Sequence, residues 1–262
     1  MTRHDDAARS NEEEWRHMTE IETTLPPALS RALDLLANPP AEPDVSNGYL
    51  DLLGAADDAV AKNDGFIQAA WASPIGSFVY DNAQALTRRL IAAMQLPIEW
   101  LNIPEGGVAL DVGAGPGSIT TSLAHAAGTG GLALGVDISE PMLARAVRAA
   151  AGPQVGFLRA DAQKLPFRDE TFDAAISVAV LQLVPDPAAA LAEIARVLKP
   201  GGRVAVMIPT LRPPVDLWRH LPTGGAHIFG EDEVGDILEA CGFASVRVKS
   251  IGTFQWVRGK RG

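Results

Sequence analysis

Three glycines crowd into positions 113–117 of the run VALDVGAGPG (residues 108–117), directly behind an alternating apolar stretch that carries an aspartate, Asp111, near its end. A strand that turns through glycines into a helix offers backbone N–H groups and a helix N-terminus to a nucleotide-like ligand, because only glycine leaves room for one. The dinucleotide fingerprint G-x-G-x-x-G would need glycines at 113, 115 and 118 and an apolar residue at 111. Position 118 is serine, the third glycine is Gly117 behind Pro116, and position 111 is an acid. Beside a pyrophosphate that acid is badly placed. It suits a ligand bearing an ammonium or sulfonium group.

The motifs downstream share this order and spacing with one family. The run from about 105 to 262 resembles class I S-adenosylmethionine-dependent methyltransferases, in the group that includes the quinone C-methyltransferases. The residues that carry the resemblance are D-x-G-x-G-x-G at 111–117, GVDISEPML at 135–143, ADAQKLPF at 160–167, TFDAAISVAVLQLVPD at 171–186 and ARVLKPGGRV at 195–204. The resemblance implies S-adenosylmethionine as cofactor. Gly113, Ala114, Gly115 and Gly117 would lie against its methionine portion, and Asp111 would order its ammonium. Asp137 would accept from both ribose hydroxyls. Ile138 and Met142 would face the adenine, with Asp161 accepting from its amino group and the Ala162 N–H donating to a ring nitrogen. Tyr80 stands where related enzymes place a tyrosine near the cofactor, and Ser177 ends the fourth strand on the cofactor side.

The acceptor side is less legible. At the end of strand four the chain reads Ser177-Val178-Ala179-Val180, without the Asn/Asp/Ser-Pro-Pro-aromatic signature of base amino-methylating families. The loop carries no carboxylate cluster, which predicts a reaction without a metal. Relatives often have a histidine after the leucine of this loop, and here it is Gln182. Gln182, His220 and His227 are the substrate-side candidates, with Trp71 and Trp218 as further lining residues, and no catalytic base is assigned. Methyl transfer from a sulfonium gains most from alignment and exclusion of water, so acid/base machinery is optional.

The elements that must position these residues follow from periodicity. After Gly107, short apolar strands (VALDVG, LALGVDI, VGFLRAD, FDAAISVA, RVAVMIP) alternate with amphipathic helices, the pattern of a doubly wound parallel sheet. ASVRVKS and TFQWVRG are separated only by Ile251 and Gly252, which allows a hairpin and no crossover, so the sheet should finish with an antiparallel strand. The expected fold is therefore a seven-stranded, mostly parallel, Rossmann-like methyltransferase domain over 105–262. Helical patterns with Leu29, Leu33 and Leu36, and with Leu86, Leu90, Ile91 and Met94, predict a helical cap over the strand ends at 21–104, behind a flexible polar arm at 1–20. A net charge of −10 in 262 residues disfavours nucleic acid as a partner. A lone cysteine, Cys241, and the lack of a long apolar run predict a cytoplasmic protein with no integral membrane segment. The expected acceptor is a small, fairly apolar or lipid-like molecule methylated at oxygen or carbon. A non-catalytic S-adenosylmethionine-binding regulatory module and an NAD-dependent reductase are the alternatives.

Overall fold

The computed structural model describes residues 25–54, 96–210, 227–252 and 254–262. The apolar runs form strands β2 (Val108–Val112), β3 (Leu132–Asp137), β4 (Val155–Arg159), β5 (Phe172–Val178) and β6 (Leu198–Pro209), followed by β7 (Phe243–Ile251) and β8 (Phe254–Arg261). An eighth strand, β1 (Leu50–Asp51), adds to the seven expected; it pairs parallel with β4, placing Leu50 beside Leu158. The sheet order is β1-β4-β3-β2-β5-β6-β8-β7. β8 lies antiparallel between β6 and β7, as the hairpin spacing requires.

Both faces of the parallel strands are covered, which is why their sequences run apolar rather than alternating. Leu110, Val112, Leu134, Val206 and Val257 pack on one face against helices α1 (Pro27–Leu33), α5 (Pro187–Val197) and α6 (Glu233–Ala240) through Leu29, Leu191, Ile194, Val234 and Leu238. The opposite face is built from smaller side chains, Ala109, Ala133, Ala174 and Ala205. These admit α2 (Ile98–Leu101), α3 (Ser118–Ala126) and α4 (Glu140–Ala150) at close range through Leu101, Ile119, Leu123, Leu143 and Ala146. Each fully buried Leu or Ile contributes about 1.5–3 kcal/mol. Asp186 caps α5 by accepting from the Ala189 N–H at 3.0 Å, with Pro187 in the first turn. The α6 stripe is as expected, with Val234 and Leu238 buried and Ile237 and Cys241 half-buried against the same core.

The segment before Gly107 differs from its expected form. α1 stops at Leu33, and Leu36, expected on the helical face, instead forms an antiparallel bridge with Phe167. Its Ala28 and Leu29 seat on Gly156 of β4, so this helix flanks the sheet rather than covering the strand ends. Arg31 fixes it by donating to the carbonyls of Gly130 and Gly131. Buried Arg159 joins residues 50–54 to the sheet, pairing with Asp51 and Glu140 at 3.1 Å each and donating to the Gly54 carbonyl at 3.0 Å. The polar arm at 1–20 and the helical pattern around Leu86 and Met94 lie outside the described residues.

Candidate functional site

The site forms at the carboxyl ends of β2, β3 and β5. Asp111 is 1% exposed near the end of β2. Its Oδ2 accepts from the Thr120 hydroxyl at 2.7 Å, and its Oδ1 is buried without a partner. Burial drives its pKa up to about 7, helped by the nearby Asp137 charge and opposed by Thr120. At neutral pH the group is poised between its two protonation states, and a positive group brought to Oδ1 would favour the anion. Thr120 escapes sequence reading because its link to Asp111 depends on how the intervening loop folds back.

That loop corrects one expectation. Its N–H groups are not offered to a ligand: Gly113 and Ala114 both donate to the Val136 carbonyl at 2.7 and 3.0 Å. Gly115 donates to Asp137 Oδ2 at 2.9 Å, and Gly117 to the Ala114 carbonyl at 3.0 Å. The glycines also serve different ends. All three have positive φ, but a Cβ on Gly113 would lie 2.1 Å from Val180 Cγ2, and one on Gly117 would lie 2.7 Å from Phe157 Cζ. Only at Gly115, with φ +51°, is the space beside the missing side chain empty.

Asp137, at the end of β3, receives the Ser139 N–H on Oδ1 at 2.8 Å and the Gly115 N–H on Oδ2 at 2.9 Å. Those bonds orient the carboxylate and leave a lone pair on each oxygen for hydroxyl donors. Burial raises its pKa while the backbone donors pull it down. Ile138 and Met142 sit half-buried behind it. Asp161, half-buried like the adjoining Ala162, holds the Gln163 N–H at 2.9 Å and the Gln163 amide at 3.1 Å. An ammonium at Asp111 Oδ1, two vicinal hydroxyls at Asp137 and the open wall at Gly115 together match S-adenosylmethionine. The residues present fit that cofactor. They do not fit a pyrophosphate, for which the loop holds back its donors.

On the acceptor side, Ser177 is fully buried and its hydroxyl has no partner. The chain then turns through Ala179 in a left-handed conformation, φ +57°, before the short 3-10 turn Leu181–Leu183. Gln182 Nε2 donates to the Ala179 carbonyl at 2.7 Å and so fixes this turn, while its buried Oε1 is unpartnered. The His227 N–H donates to the Gln182 carbonyl at 2.8 Å. The His227 ring pairs through Nε2 with Glu233 Oε1 at 2.7 Å and lies 4.5 Å from the Phe229 ring. Burial works against ionised Glu233, yet the Gly230 N–H and His227 outweigh it and hold its carboxyl below the usual range. Thr210, one residue past β6, and Gln255 and Trp256 of β8, which the sequence did not reveal, each add a buried polar atom without a partner. Tyr80, Trp71, Trp218 and His220 lie outside the described residues. Among the described residues, no cluster of three or more His, Cys, Asp or Glu side chains could hold a metal ion.

Comparison with known proteins gives the family and the fold. Residues 110–206 match the family described as a methyltransferase domain. Demethylmenaquinone methyltransferase of Bacillus licheniformis is 41% identical over 117 residues, covering 44% of this chain and 50% of that protein. The protein of the same name from Staphylococcus aureus is 32% identical over 177 residues, 57% of this chain and 73% of that one. The chain thus spans about half the length of the first curated relatives it matches. An S-adenosylmethionine-dependent methyltransferase structure from Thermotoga maritima has the same fold, with a TM-score of 0.55 at 24% identity over 71% of this chain and 97% of that one. On its sequence relatives and its domain match, the chain belongs to the class I S-adenosylmethionine-dependent methyltransferases.

Proposed function

We propose that this protein transfers a methyl group from S-adenosylmethionine to carbon or oxygen of a small, lipid-like acceptor of the quinol class, acting from the cytoplasm. The observation that carries the cofactor is the pairing of a consumed set of loop N–H groups with one unpartnered buried carboxylate oxygen at Asp111. Such a site rewards positive charge beside Asp111 and withholds the N–H groups of Gly113, Ala114, Gly115 and Gly117 from a phosphate. The quinol class is supported by the names of the relatives, which describe methylation of demethylmenaquinone.

Bound there, S-adenosylmethionine supplies a methyl group activated by its sulfonium charge. Asp111 holds the ammonium end, Asp137 the ribose, and the contact of Val180 with Gly113 ties the acceptor loop to the glycine loop. The Gln182 amide, with Oε1 unpaired, can accept from an acceptor hydroxyl and orient it, but it cannot take a proton near neutral pH. The catalytic contribution is then alignment in a site that excludes water.

Calorimetry with S-adenosylhomocysteine and NAD tests the cofactor, with binding expected for the first alone; NAD binding without a response to S-adenosylhomocysteine overturns the reading. Incubation with S-adenosylmethionine and a short-chain 2-prenyl-1,4-naphthoquinol, followed by mass spectrometry, tests the acceptor class. A mass gain of one methyl group is expected.

A further inference from the structure

The β6–β8–β7 end of the sheet has a charge opposite to that of the whole chain. Between Ala240 and Gly262 there is no Asp or Glu, whereas Arg247, Lys249, Arg258, Lys260 and Arg261 all fall there. Register brings four of them onto one face: Lys260 pairs with Arg203, and Arg258 with both Ala205 and Arg247, while Lys249 pairs with Trp256. Arg247, Lys249 and Lys260 are exposed, and among the described residues none of them enters a salt bridge. Arg203 and Arg258 stack on Trp100 at 5.3 and 5.0 Å. The nearest acids in sequence, Glu233, Asp236 and Glu239, belong to α6, which packs on the other face.

This end also carries apolar surface. Of the large apolar side chains exposed among the described residues, Ile251 (44%) lies on the cationic face, whereas Val248 (39%) alternates to the face packed by α6 and Ile228 (44%) lies in the loop before that helix. Ile251 lies at the tip of the β7–β8 hairpin opposite Phe254, two pairs beyond Lys249 and Trp256 and so on the same face. Phe254 in turn pairs with Pro209 at the carboxyl end of β6. The face therefore runs from cations at the amino edge to an apolar lip at the carboxyl edge, the edge that holds Asp111 and Gln182. A cationic surface bordered by a few insertable apolar groups is complementary to an anionic lipid interface.

We propose that this end of the sheet docks on an anionic bilayer and so presents the carboxyl edge to the membrane. The inference rests on the proposed lipid-like acceptor, which would be dissolved in that bilayer, but its test needs no acceptor. Each cation at the surface strengthens binding by about fivefold, and salt screens this within a Debye length.

The full chain is sedimented with vesicles of phosphatidylcholine alone or with phosphatidylglycerol added, at low and high salt. Expected results are binding to the anionic vesicles only, loss at high salt, and at least a tenfold weakening in the Arg247→Glu/Lys249→Glu/Lys260→Glu variant. Ile251→Ser should weaken binding severalfold without changing its salt dependence. Equal binding to both vesicle types, no binding to either, or an unaltered triple variant would overturn the proposal. So would DNA that displaces the protein from vesicles at equal charge, since the face would then be a general polyanion surface. Calorimetry of S-adenosylhomocysteine on the same samples separates the two claims. Retained cofactor binding without vesicle binding defeats only the docking surface, and lost cofactor binding in the wild type defeats the functional reading beneath it.

Discussion

The two halves of the carboxyl edge are built on different plans. On the β2–β3 side the polar groups satisfy one another within short stretches of chain: Gly115 reaches Asp137, Ser139 reaches Asp137, and Thr120 reaches Asp111. Asp111 Oδ1 is the carboxylate oxygen left over. On the β5–β6–β8 side, buried polar atoms of Ser177, Gln182, Thr210, Gln255 and Trp256 go without partners, and they come from segments up to about eighty residues apart. A buried unpaired polar group costs roughly 1–3 kcal/mol. The first half is finished by its own backbone and awaits one charge. The second leaves polar atoms unpaired on both faces of the sheet, since Gln255 and Trp256 are neighbours along β8.

The largest effect should come from removing the finished half's anchor. Asp137→Ala deletes the acceptor of the Gly115 N–H and the proposed acceptor for two ribose hydroxyls, at roughly 1.5–3 kcal/mol per charged hydrogen bond. Calorimetry should show cofactor affinity falling by two orders of magnitude or more, by about the same arithmetic, with the fold intact by circular dichroism. Unchanged affinity would break the comparison at its first half.

The glycines sharpen it next. Gly117→Ala places a Cβ at 2.7 Å from Phe157 and keeps φ at +84°, so overpacking and backbone strain should together cost about 2–4 kcal/mol in chemical denaturation. Gly115→Ala has the same sign of φ with no neighbour within 4 Å; its stability loss should be about 1–2 kcal/mol. Its larger effect should fall on cofactor affinity. Equal losses of stability in the two variants would show that Gly115 too is a packing glycine.

Asp111 gives a pH signature. Its folded pKa of about 7 lies well above the ordinary aspartate value, so the carboxyl favours the cofactor-free fold while protonated. That contribution is complete below about pH 4 and is lost as pH rises to about 7, at about 1.4 kcal/mol per pK unit. Asp111→Asn should therefore be more stable than wild type at pH 8, by thermal melting, while binding S-adenosylmethionine more weakly. Wild-type affinity should rise from about pH 5.5 to 8 as the carboxylate forms. A flat affinity profile would show that Oδ1 does not meet the ammonium.

The contrast between halves also explains what the sequence could reveal. The glycine loop, Asp111 and Asp137 sit at the ends of strands whose apolar periodicity is plain, and the doubly wound order follows from strand–helix alternation. β1 is invisible because two residues have no period; in the fold Leu50 is buried beside Leu158 and Arg159 pairs with Asp51. Leu36 read as helical because its spacing fits, yet Phe167 captures it in a bridge. Gln255 and Trp256 could not be found because their burial depends on the β6–β8 register, which pairs Ile208 with Gln255 and Met207 with Trp256. The burial of the Gly113 N–H against Val136 is likewise a property of the folded turn and not of its composition.

The smallest effect is expected at His227, where the unfinished half comes closest to acid/base chemistry. Its Nε2 is committed to Glu233, whose other oxygen accepts from the Gly230 N–H at 2.8 Å; the pair thus fastens the loop to the start of α6. The side chain is 43% exposed to solvent. A quinol acceptor has its own ionisable hydroxyl, and Gln182 can orient it without deprotonating it. The rate should therefore rise with pH toward the acceptor's own pKa rather than level off at a histidine-like value near 6.5, and it should survive chelators. His227→Ala should cost less than the roughly 100-fold typical of losing a general base. The measurement is a pH–rate profile of wild type, His227→Ala and Glu233→Gln with the naphthoquinol probe. A wild-type break near pH 6.5 that disappears in His227→Ala, together with a loss of about 100-fold or more, would make the His227–Glu233 pair the base. The acceptor half would then supply a proton acceptor as well as a pocket.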